Sequence, residues 1–227
     1  MKQRIVAIAV AFLLPFAGCK TSTQSASQGA AGGPGGGTTR AGMQAVAIGS
    51  GFDYYLLNLS WSPEFCFSHP DASECAAHPA FVLHGLWPQN NDGTYPENCS
   101  SAPGPGAPAQ YQDIYPDQGL LRHEWQTHGT CSGLSADQFL QTARSAVRGV
   151  VIPPTLKTLT SQTSLPPDDI IGLFTAVNPQ IPRASFVVSC GHNYLTAVEV
   201  CLDKSLHPIA CGAIRSCRAN TVRIPAP

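Results

Sequence analysis

Apolar and polar positions along residues 52–60 (FDYYLLNLS) do not follow a helical period. Aromatic and aliphatic side chains fall on both alternating faces of this segment, which predicts a buried strand. Residues 81–83 form a second, short apolar run, and residues 185–190 and 194–203 alternate as strands do. The hydrophobic pattern therefore predicts four strands.

Three other segments have helical signals. Residues 118–128 are helical in composition, and Gly129 is a natural terminator. Ser135 and Gln138 have the spacing of a capping box, and apolar side chains follow at helical intervals. Residues 166–169 (PPDD) place proline and acids where a helix begins. Strands and helices mix without a βαβ rhythm, so we expect an α+β fold, in which an antiparallel sheet packs with several helices.

The N-terminus has the pattern of an export signal. Lys2 and Arg4 precede an apolar run over residues 5–16, and small residues stand directly before Cys19. This arrangement resembles the lipobox of bacterial lipoproteins, which predicts a signal over residues 1–19 and a lipidated Cys19. The alternative is an ordinary secretory signal with an incidental Cys19. No run of 18 apolar residues exists, so no segment is a convincing membrane span.

Cysteine usage favours the lipoprotein interpretation. The chain has nine cysteines, and setting Cys19 aside leaves eight that can pair completely in an oxidising compartment. Spacing alone permits 105 connectivities for eight cysteines. We therefore expect a disulfide-stabilised protein of the bacterial cell envelope, periplasmic or at the cell surface.

Residues 20–50 are rich in Gly, Ser, Ala, Thr and Gln, which predicts a flexible tether with a reach of roughly 30 Å. The folded part is then a single domain over residues 51–227. Four of the thirteen basic residues and none of the fourteen acidic ones lie in residues 1–50, so this domain carries nine basic against fourteen acidic residues. That balance argues against a protein that holds nucleic acid by neutralising phosphates, but not against an enzyme that releases its polymer.

Two segments concentrate residues suited to acid–base chemistry: residues 84–88 (HGLWP) and residues 123–131 (HEWQTHGTC). On a helix, Glu124 and His128 project within about 40° of each other, and His123 lies about 100° from Glu124. A zinc site is the competing interpretation. It is disfavoured because His123 and His128 are five residues apart, about 140° on an ideal helix, and because the cysteines lack C-x-x-C spacing.

These two segments, in this order, resemble the active-site segments of the ribonuclease T2 family, the secreted transferase-type endoribonucleases. Residues 52–66 (FDYYLLNLSWSPEFC) and residues 194–205 (YLTAVEVCLDKS) resemble the first core strand and a late strand of the same family. The likeness covers nearly all of residues 51–217. It implies an endoribonuclease that needs no metal or other cofactor and acts as a monomer on single-stranded RNA.

The resemblance assigns catalysis to His84, Glu124 and His128, and phosphate contact to His123. In the expected reaction the RNA 2′-hydroxyl attacks phosphorus and leaves a 2′,3′-cyclic phosphate, which is later opened to a 3′-phosphate; DNA cannot react this way. Imidazoles suit such a reaction because one can accept a proton while another donates one. We assign His128 as general base and His84 as general acid. Glu124 beside His128 is expected either to raise the pKa of that imidazole and orient it, or to share a proton with an oxygen of the phosphorane.

Other positions match the family less closely. Trp87 matches the tryptophan that stacks on a base, and Tyr95 matches a second stacking residue. Thr127 stands where the family usually has a lysine, and Gln89 stands where some members have a base-reading acid. The missing lysine either lowers the rate or has its positive charge supplied by Arg122 or His123. The missing lysine supports an alternative, a weak or inactive RNA-binding or toxin-like module of the same fold. Intact His84, Glu124 and His128 weigh against it.

The resemblance also implies four disulfides. Their expected pairs are Cys66–Cys75, Cys99–Cys131, Cys190–Cys217 and Cys201–Cys211.

Overall fold

The computed structural model describes residues 51–77 and 79–227. The expected signal over residues 1–19, its Cys19 and the tether over residues 20–50 lie outside the described residues. Within the described part, no helix has the length and apolar character needed to cross a membrane.

One sheet of six strands forms the centre of the described fold. The strands are β1 Tyr54–Trp61, β2 Phe81–Gln89, β3 Thr163–Leu165, β4 Phe186–Gly191, β5 Tyr194–Leu202 and β6 Val222–Ile224. Their order is β2-β1-β5-β6-β3, and β4 also pairs with β5. The described pairings are antiparallel except for one residue pair between β5 and β6. The predicted α+β class is confirmed.

Five α-helices surround the described sheet: α1 Ser62–Ser68, α2 Gln118–Thr127, α3 Ala136–Arg148, α4 Pro154–Lys157 and α5 Pro167–Val177. The predicted capping box of α3 is present, since Ser135 and Gln138 bond each other's backbone amides. The Asp117 carboxylate accepts from the first free amides of α2, at 2.6 and 3.2 Å, which fixes where that helix begins.

The four predicted strands and three predicted helices are all present, with small shifts at their ends. Strand β2 is longer than predicted, because it pairs with β1 through Gln89. Strands β3 and β6 and helices α1 and α4 were not predicted. Strands of three residues and helices of seven and four residues are too short to show a clear hydrophobic period.

The two faces of β1 pack against different groups of side chains. Tyr55, Leu57, Leu59 and Trp61 are buried in the main core, which also contains apolar side chains of α2, α3 and α5. Alternate residues of the same strand, including Leu56, point to the opposite face. There a smaller apolar cluster, to which Trp87 packs, lies beside a group of polar side chains. This second face carries the candidate site.

Four disulfides join the pairs that the family resemblance implies: Cys66–Cys75, Cys99–Cys131, Cys190–Cys217 and Cys201–Cys211. The Cys99–Cys131 bond connects the loop after β2 to the turn that follows α2. It closes a segment of about thirty residues, and by the chain-entropy model such a bond contributes roughly 3–4 kcal/mol. It therefore ties together the two elements that hold the histidines of the site.

Candidate active site

An irregularity in β2 directs His84 to the second face of the sheet. Gly85 pairs with Asn58 of β1 and Leu83 pairs with the next residue, Leu59, so His84 has no partner across the strand pair. A bulge of this kind re-aims a side chain and is common beside active sites. The His84 ring contacts the Ser60 hydroxyl through Nδ1, at 3.0 Å. The ring is 43% exposed, so one edge of it is open to a ligand.

Glu124 of α2 is fully buried at the point where the helix meets β2. The Trp87 indole Nε1 donates a hydrogen bond to Oε2 of Glu124, at 2.8 Å. The other oxygen, Oε1, has no hydrogen-bond partner and lies 3.6 Å from Nε2 of His84. This carboxyl oxygen is thus directed toward the reactive edge of His84.

His128 lies at the end of α2 and completes the site. The helix ends at Thr127, and His128 adopts φ −112° and ψ −45°, outside the ideal helical geometry. Its side chain is nearly buried, whereas His123 is exposed. The rings of His84 and His128 each lie 5.3 Å from the Trp87 ring, on which they converge from separate elements.

The predicted divergence of His123 and His128 is wrong. One donor atom from each of these histidines and one from Glu124 lie within 4.8 Å of one another. An ideal helix would separate the two histidines by about 140°. His128, however, is the C-cap residue that follows α2, and its φ of −112° departs from the ideal helical value. These three side chains could contact a cation, so metal dependence needs an experimental test.

Burial sets the protonation of the site. It raises the pKa of Glu124 to about 8, partly opposed by the hydrogen bond from Trp87. Burial lowers the pKa of His128 to about 4, with smaller contributions from the nearby rings of His123 and His84. The pKa of His84 is lowered by burial and then by His123. At pH 5 to 7 Glu124 is therefore a neutral acid and His128 a neutral base.

The expectation that Glu124 raises the pKa of His128 is wrong. The structure places the Glu124 carboxyl between Trp87 and His84, and burial keeps it neutral, so it offers no negative charge to His128. Because Trp87 donates to Oε2, the proton of the neutral acid resides on Oε1. Glu124 can therefore donate that proton toward Nε2 of His84 or toward a bound ligand.

We expect Glu124→Gln to raise the melting temperature at pH 7 and to leave it unchanged near pH 4. Between the ordinary pKa of 4.5 and the folded-state pKa of about 8, the unfolded chain releases a proton that the folded chain keeps. Folding stability therefore falls as the pH rises through that window, and the uncharged amide removes this loss. The expected gain is about 1–3 kcal/mol at pH 7.

Thermal unfolding at both pH values measures this effect, with the exposed Asp71→Asn as a matched control. A Glu124→Gln variant that is less stable than the wild type at pH 7 contradicts the raised pKa.

A cavity of about 480 Å³ opens beside His128 on the same face of the sheet. Trp87, Gln89 and Tyr95 line it, and Tyr95 is 56% exposed. The two aromatic residues singled out in the sequence therefore lie in one cavity next to the histidines. Thr127 lies on the outer side of the helix, where its hydroxyl is 3.4 Å from Nδ1 of His123.

Three polar residues near the site were not predicted from the sequence: Asn58, Ser60 and Glu199. Asn58 and Glu199 are buried and hydrogen-bonded to each other, at 2.8 Å, and Glu199 lines the same cavity. A signal was present, because each of these polar residues interrupts a strand that is otherwise almost wholly apolar.

Comparison with known proteins places this chain in a family. The model of the family described as "Ribonuclease T2 family" matches residues 52–211, which include every described histidine of the site. The chain belongs to the ribonuclease T2 family. Both sequence segments that suggested this relationship lie inside the matched range.

Two ribonuclease T2 relatives are bacterial. A ribonuclease of Aeromonas hydrophila is 47% identical over 103 residues, which cover 44% of this chain and 47% of that protein. A probable ribonuclease of Haemophilus influenzae is 30% identical over 178 residues, which cover 70% of this chain and 61% of that protein. The chain thus spans about half to three fifths of the length of these curated relatives.

A solved structure shares the fold. The RNase-related protein from Calystegia sepium superimposes with a TM-score of 0.60 at 23% identity. The match covers 77% of this chain and 97% of that one. The match therefore extends over almost the whole of that solved structure.

Proposed function

We propose that this protein is an endoribonuclease that cleaves single-stranded RNA without a metal, through a 2′,3′-cyclic phosphate, to 3′-phosphate ends. The observation that carries the proposal is the convergence of His84 and His128 on one tryptophan, which also holds the Glu124 carboxyl beside His84. Membership of the ribonuclease T2 family and the names of the bacterial relatives support the same activity.

The two histidines divide the proton transfers. His128, with its pKa lowered to about 4, is neutral at mildly acidic pH and accepts the proton of the attacking 2′-hydroxyl. His84 donates a proton to the departing 5′-oxygen. The negative charge of a bound phosphate favours the protonated form of His84 and offsets the burial that lowers its pKa.

Glu124 and His123 stabilise the charge that develops on phosphorus. Neutral Glu124 donates from Oε1 to a phosphoryl oxygen, and the exposed His123 ring supplies a further donor at the mouth of the site. Donors already fixed in place before reaction lower the barrier because they need no reorganisation. His123 thus acts where a lysine at position 127 would otherwise add positive charge.

The cavity beside His128 holds a base. Trp87 and Tyr95 present flat apolar surfaces there, and stacking on such a surface is worth roughly 1–3 kcal/mol with little dependence on base identity. Trp87 also fixes Glu124 through its indole nitrogen. The same residue therefore joins base binding to the catalytic carboxyl.

A cleavage assay with fluorogenic single-stranded RNA in excess EDTA tests this function on the full chain. Cleavage of RNA, and none of a DNA oligonucleotide of the same sequence, is the expected result, because only RNA carries the attacking 2′-hydroxyl. Activity that disappears with EDTA and returns with zinc contradicts the metal-free mechanism. That outcome would place the metal on His123, Glu124 and His128.

We also propose that the enzyme works in the bacterial cell envelope, anchored by a lipid on Cys19 and held by the tether over residues 20–50. The charged and apolar N-terminal pattern and the four disulfides of the described domain support an oxidising, exported location.

The anchor predicts that Cys19→Ser releases the protein from the membrane fraction. Detergent partitioning and fractionation measure this, with Ser22→Ala, three residues along the chain, as a control that keeps the cysteine. A Cys19→Ser protein that partitions like the wild type contradicts the anchor and leaves the proposed activity unaffected.

A further inference from the structure

A row of polar side chains crosses the middle of the sheet on the face that carries His84. Glu199 of β5 lies opposite Asn58 of β1, and Asn58 lies opposite Gly85 of β2. Asn58 Nδ2 donates to Oε1 of Glu199 at 2.8 Å, and both residues are buried. Burying a carboxyl and an amide costs free energy that apolar residues in these strands would not. The pair therefore calls for an explanation beyond folding.

Ser60 connects this buried pair to His84. Its Oγ lies 3.0 Å from Nδ1 of His84 and 3.5 Å from Oδ1 of Asn58. The second distance is the longest in the chain of contacts. The bulge in β2 brings His84 within reach of Ser60, which lies two residues beyond Asn58 on the same face of β1.

The donors and acceptors of these side chains fix the direction of each hydrogen bond from Glu199 to His84. Burial raises the pKa of Glu199, and hydrogen bonds from Ser189 and Asn58 oppose that rise. The Asn58 amide donates from Nδ2 to Glu199, which leaves its Oδ1 directed at Ser60. When Ser60 donates its single hydroxyl proton to Oδ1, its oxygen is an acceptor toward the ring. His84 then carries its proton on Nδ1 and presents the Nε2 lone pair to Glu124 Oε1, 3.6 Å away.

We propose that Ser60, Asn58 and Glu199 are positioning residues that hold His84 in the Nδ1–H tautomer, with Nε2 directed at Glu124 and the substrate. This inference rests on the proposed function, in which Nε2 of His84 donates to the leaving oxygen. The chain also favours the imidazolium form, because a charged ring donates a stronger hydrogen bond to Ser60 than a neutral ring does. It thereby opposes the burial that lowers the pKa of His84.

Other ionisable groups face His84 and contribute to its titration. They are Glu124, His123 and His128 of the site, and Glu74 and Asp117, which line a cavity of about 290 Å³ next to His84 and His123. Substitutions at Ser60 leave all five groups in place. A change in the titration of His84 in such a variant therefore reports on the hydrogen-bond chain of Ser60, Asn58 and Glu199.

Nitrogen-15 NMR of the histidine rings in the full-length protein tests the tautomer directly. We expect the neutral His84 ring to be protonated on Nδ1 in the wild type and in Ser60→Thr, which keeps the hydroxyl. Ser60→Ala is expected to shift the ring toward the Nε2–H form. A wild-type ring protonated on Nε2, or a tautomer that Ser60→Ala leaves unchanged, overturns the inference.

Kinetics separate positioning from a merely structural role. Ser60→Ala is expected to lower kcat about tenfold with KM within twofold, the change in rate that one lost hydrogen bond produces. In Ser60→Ala the limb of the pH–rate profile that reports on His84 is expected to move to lower pH. Ser60→Thr is expected to restore both kcat and the position of this limb. Ser145→Ala, on an exposed stretch of α3, is the matched control. A lower melting temperature with an unchanged pH profile contradicts the inference.

Glu199 also lines the cavity beside Trp87, where it could contact a base instead. Glu199→Gln distinguishes the two roles. If the hydrogen-bond chain positions His84, the substituted amide still accepts from Asn58 but carries no negative charge. The limb of the pH–rate profile assigned to His84 then shifts to lower pH by less than in Ser60→Ala. The cleavage rates on poly(A) and poly(U) fall by the same factor. A changed ratio of these two rates, with the His84 tautomer the same as in the wild type, contradicts the positioning role of Glu199. If His84→Ala retains full activity, the proposed function itself fails, whatever the tautomer.

Discussion

Replacing His84 or His128 with alanine is expected to lower kcat/KM on RNA by about 10² to 10⁴, the range that a general acid or base contributes. In the proposed mechanism each ring takes part in one proton transfer, and no other described side chain at the site is placed to replace it. His123 is exposed and Glu124 is held by Trp87. The double variant is expected to lose little more than either single variant, because residues that act as a unit are not additive.

The matched control for these variants is His207→Ala. This exposed histidine contacts Asp203 in the turn after β5 and is absent from the cavities around the site. Steady-state cleavage of a fluorogenic RNA measures all four proteins, and circular dichroism checks that they are folded. A single variant at position 84 or 128 that keeps more than a tenth of the wild-type activity contradicts the assigned roles.

Gly85→Ala is expected to lower kcat/KM about a hundredfold although it adds only a methyl group. A Cβ at position 85 would overlap the Glu124 oxygen Oε2 and the Trp87 indole nitrogen, the two atoms of the hydrogen bond between them. One or both side chains must move, which misplaces the Glu124 carboxyl and the ring between the two histidines. Displacements of about 1 Å at an active site can cost this much.

Gly106→Ala is the matched control, because a Cβ there has open space around it. The same cleavage assay and thermal unfolding compare the two variants. We expect Gly85→Ala to lose activity while remaining folded at the assay temperature. A Gly85→Ala enzyme within twofold of the wild type would show that the contact between Trp87 and Glu124 is not needed.

The sequence was sufficient to identify the main catalytic candidates. The segments HGLWP and HEWQTHGTC locate His84, Glu124 and His128, and the structure places all three around Trp87. The principal strands and helices were equally accessible, because their hydrophobic periods extend over many residues. Local signals of this kind survive folding when tertiary packing agrees with them.

The relations between these residues were harder to predict. Helical spacing pairs Glu124 with His128, but the tertiary approach of β2 gives the carboxyl to Trp87 and places it near His84. Likewise, ideal helical angles separate His123 from His128, whereas the helix ends before the second ring. Both errors arise because spacing along one helix describes neither its end nor the strand packed against it.

The role of the polar strand residues depends on register, which the sequence alone does not specify. Asn58 and Glu199 are 141 residues apart and become neighbours only through the pairing of β1 with β5. The bulge that turns His84 toward Ser60 is also a property of strand pairing. Long-range contacts of this kind can be recognised only when the sheet is known.

In the proposed reaction two imidazoles move protons while an RNA 2′-oxygen attacks phosphorus. Analysis of the ends of the cleavage products, by phosphorus-31 NMR or mass spectrometry of a short oligonucleotide, tests it most directly. We expect 2′,3′-cyclic phosphate and 5′-hydroxyl ends early in the reaction, followed by 3′-phosphate ends. Products that carry 5′-phosphate and 3′-hydroxyl ends, with no cyclic phosphate at any time, would contradict it.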